Sequence, residues 1–228
     1  MVENLSSASQ AVIFDLDGTL IDSINDLSSS VNHMLKKFNY PVHNNNFFKA
    51  KIGYGLENLV VTSLPEKSHD ETIKLAVKIT RAHYQKNLIS TTVSFPAIDW
   101  LLINLQKAHI PISILSNKPN KETKIIAKSI FPNIKFSCVL GLQSNIKAKP
   151  DPSGVILIAN ELRLKSNQFV FVGDGETDMK AARLSRAYPI GVSWGYRSPK
   201  QLVQAGAALI LNHPREIYSK LMNCLRVK

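Results

Sequence analysis

Short apolar runs alternate with longer amphipathic segments over most of this chain of 228 residues. The first run, Ala-Val-Ile-Phe at residues 11–14, has no polar position, which is typical of a parallel strand buried on both faces. Comparable runs occur at residues 111–115, near 136–140, at 169–172 and near 188–193. Between them, apolar residues recur at helical spacing over residues 97–107, 120–130, 152–163 and 178–185. This alternation predicts an α/β fold, a doubly wound parallel sheet with helices on both faces.

The stretch after the first strand differs, because it has helical periodicity and no strand signal. Apolar side chains recur at helical spacing over residues 24–38 and again through residues 44–92, with interruptions at glycine and proline. These residues predict an all-helical cap domain, residues 23–93, inserted into the sheet domain. The core domain would then consist of residues 1–22 and 94–228.

Polar residues with useful chemistry follow four of the predicted strands. They are Asp15 and Asp17 after 11–14, Ser116 and Asn117 after 111–115, Lys149 in the loop 147–151, and Asp174 and Asp178 after 169–172. Ligands of such sheets bind outside the carboxyl ends of the strands, so we expect these side chains to converge there.

This set of side chains suits a cation and a phosphate. Carboxylates crowded into one cleft need a counter-ion, and oxygen ligands favour a hard cation such as Mg²⁺, which completes its shell with water and phosphate. The Ser116 hydroxyl and the Lys149 amine can bind phosphate oxygens. One carboxylate can attack phosphorus while a second transfers protons to and from the reacting oxygens.

The overall charge raises the question of an anionic partner. The chain has 28 Lys and Arg against 17 Asp and Glu, a net charge of +11, and the last fifty residues contain a single acid, Glu216. The basic residues form no nucleic-acid motif and are not interleaved with aromatic residues, so a small anionic substrate is favoured over nucleic acid. The C-terminal excess is interpreted as a solvated basic face.

Features of secreted and membrane proteins are missing from the sequence. Two cysteines make no framework of disulfides, no basic segment precedes an apolar one at the start, and no apolar run approaches the length of a membrane span. We therefore predict a cytoplasmic protein without a membrane partner, acting as a monomer or a homodimer.

Four segments resemble the four sequence motifs of the haloacid dehalogenase superfamily, in the expected order. They are Phe-Asp-Leu-Asp-Gly-Thr-Leu-Ile-Asp-Ser at 14–23, Ile-Leu-Ser-Asn-Lys-Pro at 114–119, Lys-Pro-Asp-Pro at 149–152, and Val-Gly-Asp-Gly-Glu-Thr-Asp at 172–178. Within the superfamily, Ser-Asn-Lys-Pro and the segment Gly-Val-Ser-Trp-Gly-Tyr at 191–196 are similar to those of phosphoglycolate phosphatases. The resemblance covers essentially the whole chain. It implies a Rossmann-like core with a helical cap and a Mg²⁺-dependent phosphatase of small phosphate monoesters, with 2-phosphoglycolate as the leading candidate.

The resemblance implies a role for each matching residue around the metal. Asp15 would be the nucleophile and a Mg²⁺ ligand, and Asp17 the general acid and base, with its backbone carbonyl on the metal. Asp174 would be a further metal ligand. Asp178 and Thr19 would lie behind these groups and support them, and a threonine at position 19 favours phosphatases over the sugar phosphomutases of the superfamily.

The substrate-binding residues follow from the same resemblance. Ser116 and Lys149 would hold the phosphoryl group, with Asn117 contributing its backbone N–H. In the cap, Lys51 and Tyr54 belong to a glycine-containing loop that faces the active site in this family, and they are candidates for selecting the substrate.

Two alternative functions are left open by the sequence. Another activity of the superfamily, a nucleotide or pyrophosphate hydrolase or a sugar phosphomutase, would use the same motifs. A nucleic-acid-binding protein with this core fold would instead use the positive charge, and its binding would depend steeply on salt.

Overall fold

The computed structural model describes residues 10–144 and 146–226, the last three of them by their backbone alone. Its strands are β1 (Ala11–Phe14), β2 (Ile21–Asp22), β3 (Val93–Ser94), β4 (Ile112–Pro119), β5 (Cys138–Leu142), β6 (Phe169–Gly173), β7 (Tyr188–Val192) and β8 (Leu209–Leu211). Its helices are α1 (Ile24–Lys37), α2 (Asn45–Lys49), α3 (Leu56–Val61), α4 (Asp70–Lys86), α5 (Ile98–Lys107), α6 (Asn120–Ile130), α7 (Ser153–Glu161), α8 (Glu176–Ser185), α9 (Pro199–Gln204) and α10 (Pro214–Arg226), with a 3₁₀ turn at Ser166–Gln168.

Six strands form one parallel sheet in the order β5-β4-β1-β6-β7-β8. The register places Phe14 beside Ile114 of β4 and Val172 of β6, so the carboxyl ends of the three central strands reach the same level. The chain builds outward from β1 through β4 and β5, then returns to the other side of β1 through β6. The predicted doubly wound parallel sheet is thus confirmed, and its strand order reverses next to β1.

Side chains of β1 point alternately to the two faces of the sheet and belong to two hydrophobic clusters, one on each face. Val12 and Phe14 belong to the larger cluster, which includes apolar residues of α5, α6 and α10. Ala11 and Ile13 belong to the smaller cluster, together with residues of α7 and α8. Successive strand residues point to opposite faces, so a strand with helices on both sides has to be apolar at every position.

Helices α1–α4 lie consecutively between β2 and β3, and we call residues 24–86 the helical insert. Within it, α1 packs against α2 and α4, and α3 packs against α4. The chain enters through β2 and leaves through β3, which pair antiparallel with Ile21 beside Ser94 and Asp22 beside Val93. This pair lies at the predicted boundaries of the cap domain. Apolar residues of the insert, such as Met34 and Leu59, join the larger cluster.

The structure adds elements beyond the predicted ones. The segment after residue 193 forms α9, β8 and α10, and β4 continues to Pro119 past a shift in its pairing with β5 after Leu115. β8 has three residues and β2 and β3 have two each, too few to show a pattern. Among the described residues, no helix is both long enough and apolar enough to cross a membrane.

Candidate active site

The end of β1 places Asp15 next to a buried lysine. Lys149 Nζ lies 2.7 Å from Asp15 Oδ1 and 2.7 Å from Asp178 Oδ1, and it donates a third hydrogen bond to the Leu115 carbonyl at 2.9 Å. Lys149 is only 4% exposed. All three N–H donors of the Lys149 amine are therefore used. They connect Asp15 after β1 and Asp178 after β6 with the Leu115 carbonyl of β4.

Besides its ion pair with Lys149, Asp178 forms a capping hydrogen bond at the start of α8. Its Oδ2 accepts a hydrogen bond from the Gly175 backbone N–H at 2.8 Å, which caps this helix, while Oδ1 faces Lys149. The same carboxylate therefore caps the helix and supports the lysine. Gly173 is required beside it, because a Cβ there would lie 2.4 Å from Asp178 Oδ2.

Asp174 is held from two sides. Thr19 donates its hydroxyl to Oδ1 at 3.1 Å, and the Tyr196 backbone N–H donates to Oδ2 at 2.7 Å. Gly18, at φ +88°, and Gly195 leave the space that this carboxylate occupies, since a Cβ at either position would lie 2.2 Å from an Asp174 atom. The loops after β1 and β7 are thus shaped around Asp174.

Burial and mutual repulsion act together on these acids. Burial, followed by repulsion from Asp178, raises the pKa of Asp15 well above its usual range, although Lys149 opposes the effect. Burial and repulsion from Asp178 raise the pKa of Asp174 to about 7. For Lys149, burial lowers the pKa, but the ion pairs with Asp15 and Asp178 outweigh it and the pKa is raised.

Asp15, Asp174 and Asp178 form a cluster in which one carboxylate oxygen of each lies within 4.8 Å of the others. Such a cluster of hard oxygen ligands suits a divalent cation that would offset the repulsion. Asp174 suits this purpose better than Asp178, because its oxygens accept only from neutral donors, the Thr19 hydroxyl and the Tyr196 N–H. Asp178 instead faces the Lys149 amine with Oδ1 and caps α8 with Oδ2. Asp15 faces Lys149 with Oδ1, which leaves its Oδ2 for a cation.

Asp17 points away from this cluster. Its Oδ1 accepts a hydrogen bond from the Ser23 hydroxyl at 2.5 Å and lies 2.9 Å from Lys118 Nζ. Lys118 in turn contacts the hydroxyl of Tyr84, which comes from α4 of the helical insert. Burial raises the pKa of Tyr84 to about 12, so this hydroxyl stays protonated.

Ser116 and Asn117 lie at the end of β4, and both are buried. Ser116 Oγ accepts the Lys118 backbone N–H at 3.2 Å. The Asn117 side chain forms hydrogen bonds with the backbone N–H and carbonyl of Lys149 at 2.7 and 3.0 Å, and it donates to the Gly53 carbonyl at 2.8 Å. Asn117 thereby joins two core loops to the loop of the insert.

In the loop of the insert, Lys51 and Tyr54 contact neither the acidic cluster nor Lys149 directly, but other side chains. Tyr54 is 43% exposed and donates its hydroxyl to Glu176 at 2.9 Å, and the Lys51 amine lies 4.9 Å from the centre of the Phe47 ring. Neither lines the cavity, whereas their neighbours Ile52, Gly53 and Gly55 do. Their predicted contact with substrate stays a prediction.

The same loop is fastened to the core by an arginine after β7. Arg197, which is buried, donates to the backbone carbonyls of Lys49 and Ile52. Together with Asn117 and Tyr54, it makes three hydrogen-bonded links between residues 49–54 and the sheet domain.

A cavity lies between the strand ends and the insert. Its wall on the core side includes Asp15, Asp17, Ser116, Asn117, Lys118, Glu122 and Lys149, and its wall on the insert side includes Leu27, Ile52, Leu56, Leu59, Arg81 and Tyr84. The polar strand ends therefore form the floor, and apolar side chains with one arginine and one tyrosine form the roof.

Of the predicted core residues, Asp15, Asp17, Ser116, Asn117 and Lys149 line the cavity, and Asp174 and Asp178 lie next to Asp15. Several of their partners were not predicted. Lys118 stands inside the motif Ser-Asn-Lys-Pro, so its position was a usable signal. Tyr84, Glu122 and Arg197 belong to no motif, and only the tertiary fold brings them to the site.

Comparison with known proteins agrees with this arrangement. The family model described as haloacid dehalogenase-like hydrolase matches residues 12–192, which shows that the chain belongs to this family. Curated relatives include phosphoglycolate phosphatases from Pasteurella multocida, 30% identical and covering 80% of this chain and 85% of the relative, and from Chromobacterium violaceum, 27% identical and covering 94% and 97%.

Solved structures give the same result at the level of the fold. A protein described as a predicted phosphoglycolate phosphatase from Haemophilus somnus superposes with a TM-score of 0.86 at 26% identity, covering 93% of this chain and 97% of the other. A protein described as a predicted phosphatase from Clostridium acetobutylicum has a TM-score of 0.83 at 25% identity, covering 94% and 99%. The chain is thus a phosphoric monoester hydrolase of this family, similar to phosphoglycolate phosphatases.

Proposed function

We propose that this protein is a Mg²⁺-dependent phosphatase that hydrolyses a small phosphate monoester through an aspartyl-phosphate on Asp15. The observation that carries the proposal is the meeting of Asp15, Lys149 and Asp174 at the carboxyl ends of adjacent parallel strands. This arrangement would place three groups together: Asp15 as the nucleophile, Lys149 as a positive charge near the phosphoryl oxygens, and Asp174 as a metal ligand.

The residues present fit a magnesium ion. Asp15 and Asp174 offer oxygens from a crowded acidic cluster, and the glycines at 18 and 195 leave the room that the Asp174 carboxylate needs to join it. The backbone carbonyl of Asp17 would complete the set of protein ligands. When bound, Mg²⁺ would neutralise charge on the phosphoryl oxygens and favour the ionised form of its carboxylates.

Asp15 is the proposed nucleophile because groups that can hold the phosphoryl group lie beside it. Lys149 keeps a positive charge at Asp15 Oδ1, which favours the ionised carboxylate that attacks phosphorus. The Ser116 hydroxyl and the backbone N–H of Asn117 would bind the remaining phosphoryl oxygens. These donors lie at the end of β4, adjacent to β1 in the sheet.

Asp17 is the proposed general acid and base. Its carboxylate lines the cavity and points away from the acidic cluster, towards the side where the leaving group would lie. It would protonate the leaving oxygen in the first step and take a proton from the attacking water in the second. The Ser23 hydroxyl and the Lys118 amine both contact Oδ1 of Asp17, and these contacts hold the carboxylate in this direction.

The candidate substrate is 2-phosphoglycolate, which the names of the curated relatives support. The helical insert, as part of the proposed cap domain of residues 23–93, would exclude water from the phosphoryl-transfer step. The predicted cytoplasmic location and the monomeric or dimeric state stay predictions.

Phosphate release from a panel of esters tests the proposal. The purified full-length chain is incubated with Mg²⁺ and with 2-phosphoglycolate, p-nitrophenyl phosphate, nucleotides, pyrophosphate and a hexose phosphate. We expect phosphate release from the monoesters, loss of activity with EDTA, and its return with excess Mg²⁺. Isomerised sugar phosphate without free phosphate would contradict the proposal and indicate a mutase, and no turnover of any ester would also contradict it.

A further inference from the structure

A buried carboxylate without a use in the proposed chemistry lines the cavity. Glu122, in the first turn of α6, is 6% exposed and belongs to the core-side wall. Its Oε1 accepts a hydrogen bond from Gln85 Nε2 of the insert at 3.0 Å. Its Oε2 is buried, and no group among the described residues is within hydrogen-bonding distance of it.

An unpaired carboxylate oxygen is costly in such a place. Buried polar atoms almost always have a hydrogen-bond partner, and a charged one left without a partner costs more than a neutral one. Two of the cations that line the same cavity are already used, because Lys118 faces Asp17 and Arg81 lies 2.8 Å from Glu57. A bound ligand that donates a hydrogen bond would supply what Glu122 lacks.

The surroundings of Glu122 limit what this ligand can be. The roof of the cavity is lined mostly by aliphatic side chains, among them Leu56 and Leu59, which provide no acceptor for a polar group. The phosphoryl end of the substrate would lie at Asp15 and Lys149. The leaving group is then the part of the substrate that faces the roof and Glu122.

We propose that Glu122 is a specificity-determining residue, which accepts a hydrogen bond from a leaving group that carries an ammonium or a hydroxyl group. This inference rests on the proposed phosphatase function and specifies the class of its substrates. A carboxylate on the leaving group finds no donor at Glu122, whereas an ammonium or hydroxyl group can pair with Oε2. This selection departs from 2-phosphoglycolate, the candidate that the names of the curated relatives support, so 2-phosphoglycolate is the reference against which it is measured.

The test compares esters that differ in one group. 2-Aminoethyl, 2-hydroxyethyl and propyl phosphate share the length of 2-phosphoglycolate and carry an ammonium, a hydroxyl or no polar group. 4-Aminobutyl and pentyl phosphate repeat the comparison at greater reach. In the wild-type chain with Mg²⁺, we expect a higher kcat/KM for each donor-bearing ester than for its alkyl counterpart.

Two variants separate the charge of Glu122 from its ability to accept. Glu122→Gln removes the charge and keeps an acceptor, and Glu122→Met removes both at similar size. We expect Glu122→Met to lower the ratio of amine to alkyl kcat/KM by about ten-fold or more, and Glu122→Gln to raise kcat/KM for 2-phosphoglycolate. Glu71→Gln, an exposed change of the same charge on α4, should leave all ratios within about two-fold.

The outcomes separate this inference from the proposed function. Hydrolysis of the esters with unchanged ratios in both Glu122 variants, at either chain length, would overturn the role of Glu122 and leave the phosphatase in place. Absence of phosphate release from every ester by the wild-type chain would overturn both. If Glu122→Met does not fold, as judged by circular dichroism, the ratios of Glu122→Gln decide the question.

Discussion

The strand-end site and the helical insert face the same cavity but are built differently. At the strand ends, Lys149 and Asp174 are buried, and each carries two or more short hydrogen bonds to residues far away in the sequence. The insert presents mainly aliphatic side chains to the cavity, and its loop is tied to the core mostly through backbone carbonyls, which accept hydrogen bonds from Arg197 and Asn117. The sheet therefore fixes the reacting groups, while the insert shapes the space for the rest of the substrate.

This difference implies that changes on the two sides have different consequences. A change at the strand ends removes a reacting or positioning group and should lower kcat. A change in the insert alters the roof and its attachment, and it should act mainly on KM or on stability. The following predictions test this division, beginning with the largest expected effect.

Replacing the nucleophile should abolish turnover. Asp15→Asn removes the carboxylate that attacks phosphorus, so we expect kcat to fall by at least about 10⁴-fold, as for other nucleophile replacements. The measurement is steady-state phosphate release, with the folded state checked by circular dichroism. Asp70→Asn, an exposed change of the same kind on α4, should retain activity. An Asp15→Asn enzyme of ordinary activity would rule out the aspartyl-phosphate.

Lys118 should matter for the rate more than for binding. Lys118→Met removes the cation 2.9 Å from Asp17 Oδ1, and we expect kcat to fall by about 10²-fold with a smaller change in KM. Tyr84→Phe keeps Lys118 in place and removes one of its partners, so its effect should be smaller, roughly ten-fold. Equal losses in kcat from both variants would show that the hydroxyl of the insert, rather than Lys118, governs Asp17.

Asp26 should contribute to stability and not to catalysis. Its carboxylate accepts hydrogen bonds from the backbone N–H and the hydroxyl of both Thr91 and Thr92, just before β3. Asp26→Asn replaces a charged acceptor by a neutral one, so we expect the free energy of unfolding to fall by about 2 kcal/mol at neutral pH. Denaturant titration measures this, and kcat of the folded variant should stay near the wild-type value.

The pH dependence of this loss has a definite sign. Burial opposes ionisation of Asp26, but the hydrogen bonds from Thr91 and Thr92 outweigh it and lower the pKa below its usual 3.8. A group with a lowered folded-state pKa stabilises the fold at pH above its unfolded pKa, and the benefit is lost as the pH falls through the folded pKa. The difference in stability between wild type and Asp26→Asn should therefore be constant at neutral pH and shrink below about pH 4.

Loosening the loop of the insert should have the smallest effect. Tyr54→Phe removes a partly exposed hydrogen bond to Glu176, one of three links between residues 49–54 and the core. We expect KM to rise by about two- to three-fold, with kcat nearly unchanged. Glu176→Gln should reproduce the change, because it weakens the same bond. A large fall in kcat in Tyr54→Phe would instead support the predicted contact of this tyrosine with the substrate.

The core of the fold was predictable from the sequence because its signals are local. Each strand from β1 to β7 in the main sheet contains a run of mainly apolar residues. The rule that ligands bind at the carboxyl ends of strands then predicts that Asp15, Ser116, Lys149 and Asp174 meet at one edge. β8 and α9 were missed because three and six residues are too short for a periodic signal.

The contribution of the insert was harder to predict, because it depends on tertiary placement. Lys51 and Tyr54 are candidates because the resemblance implies that their loop faces the active site. In the structure, the backbone carbonyl of Gly53 in this loop accepts a hydrogen bond from Asn117. Gln85 and Glu122 are ordinary polar residues of two amphipathic helices. Only the packing of the insert over the sheet brings them together.

The pairing of β2 with β3 has a consequence for how such an enzyme can diverge. Because Ile21 lies beside Ser94 and Asp22 beside Val93, the chain leaves the core and returns to it one strand spacing apart, about 5 Å. The segment between these two strands can change in length or sequence without moving the strands of the main sheet. Selection for a new leaving group can then act on the insert, while the strand-end residues continue to perform the same phosphoryl transfer.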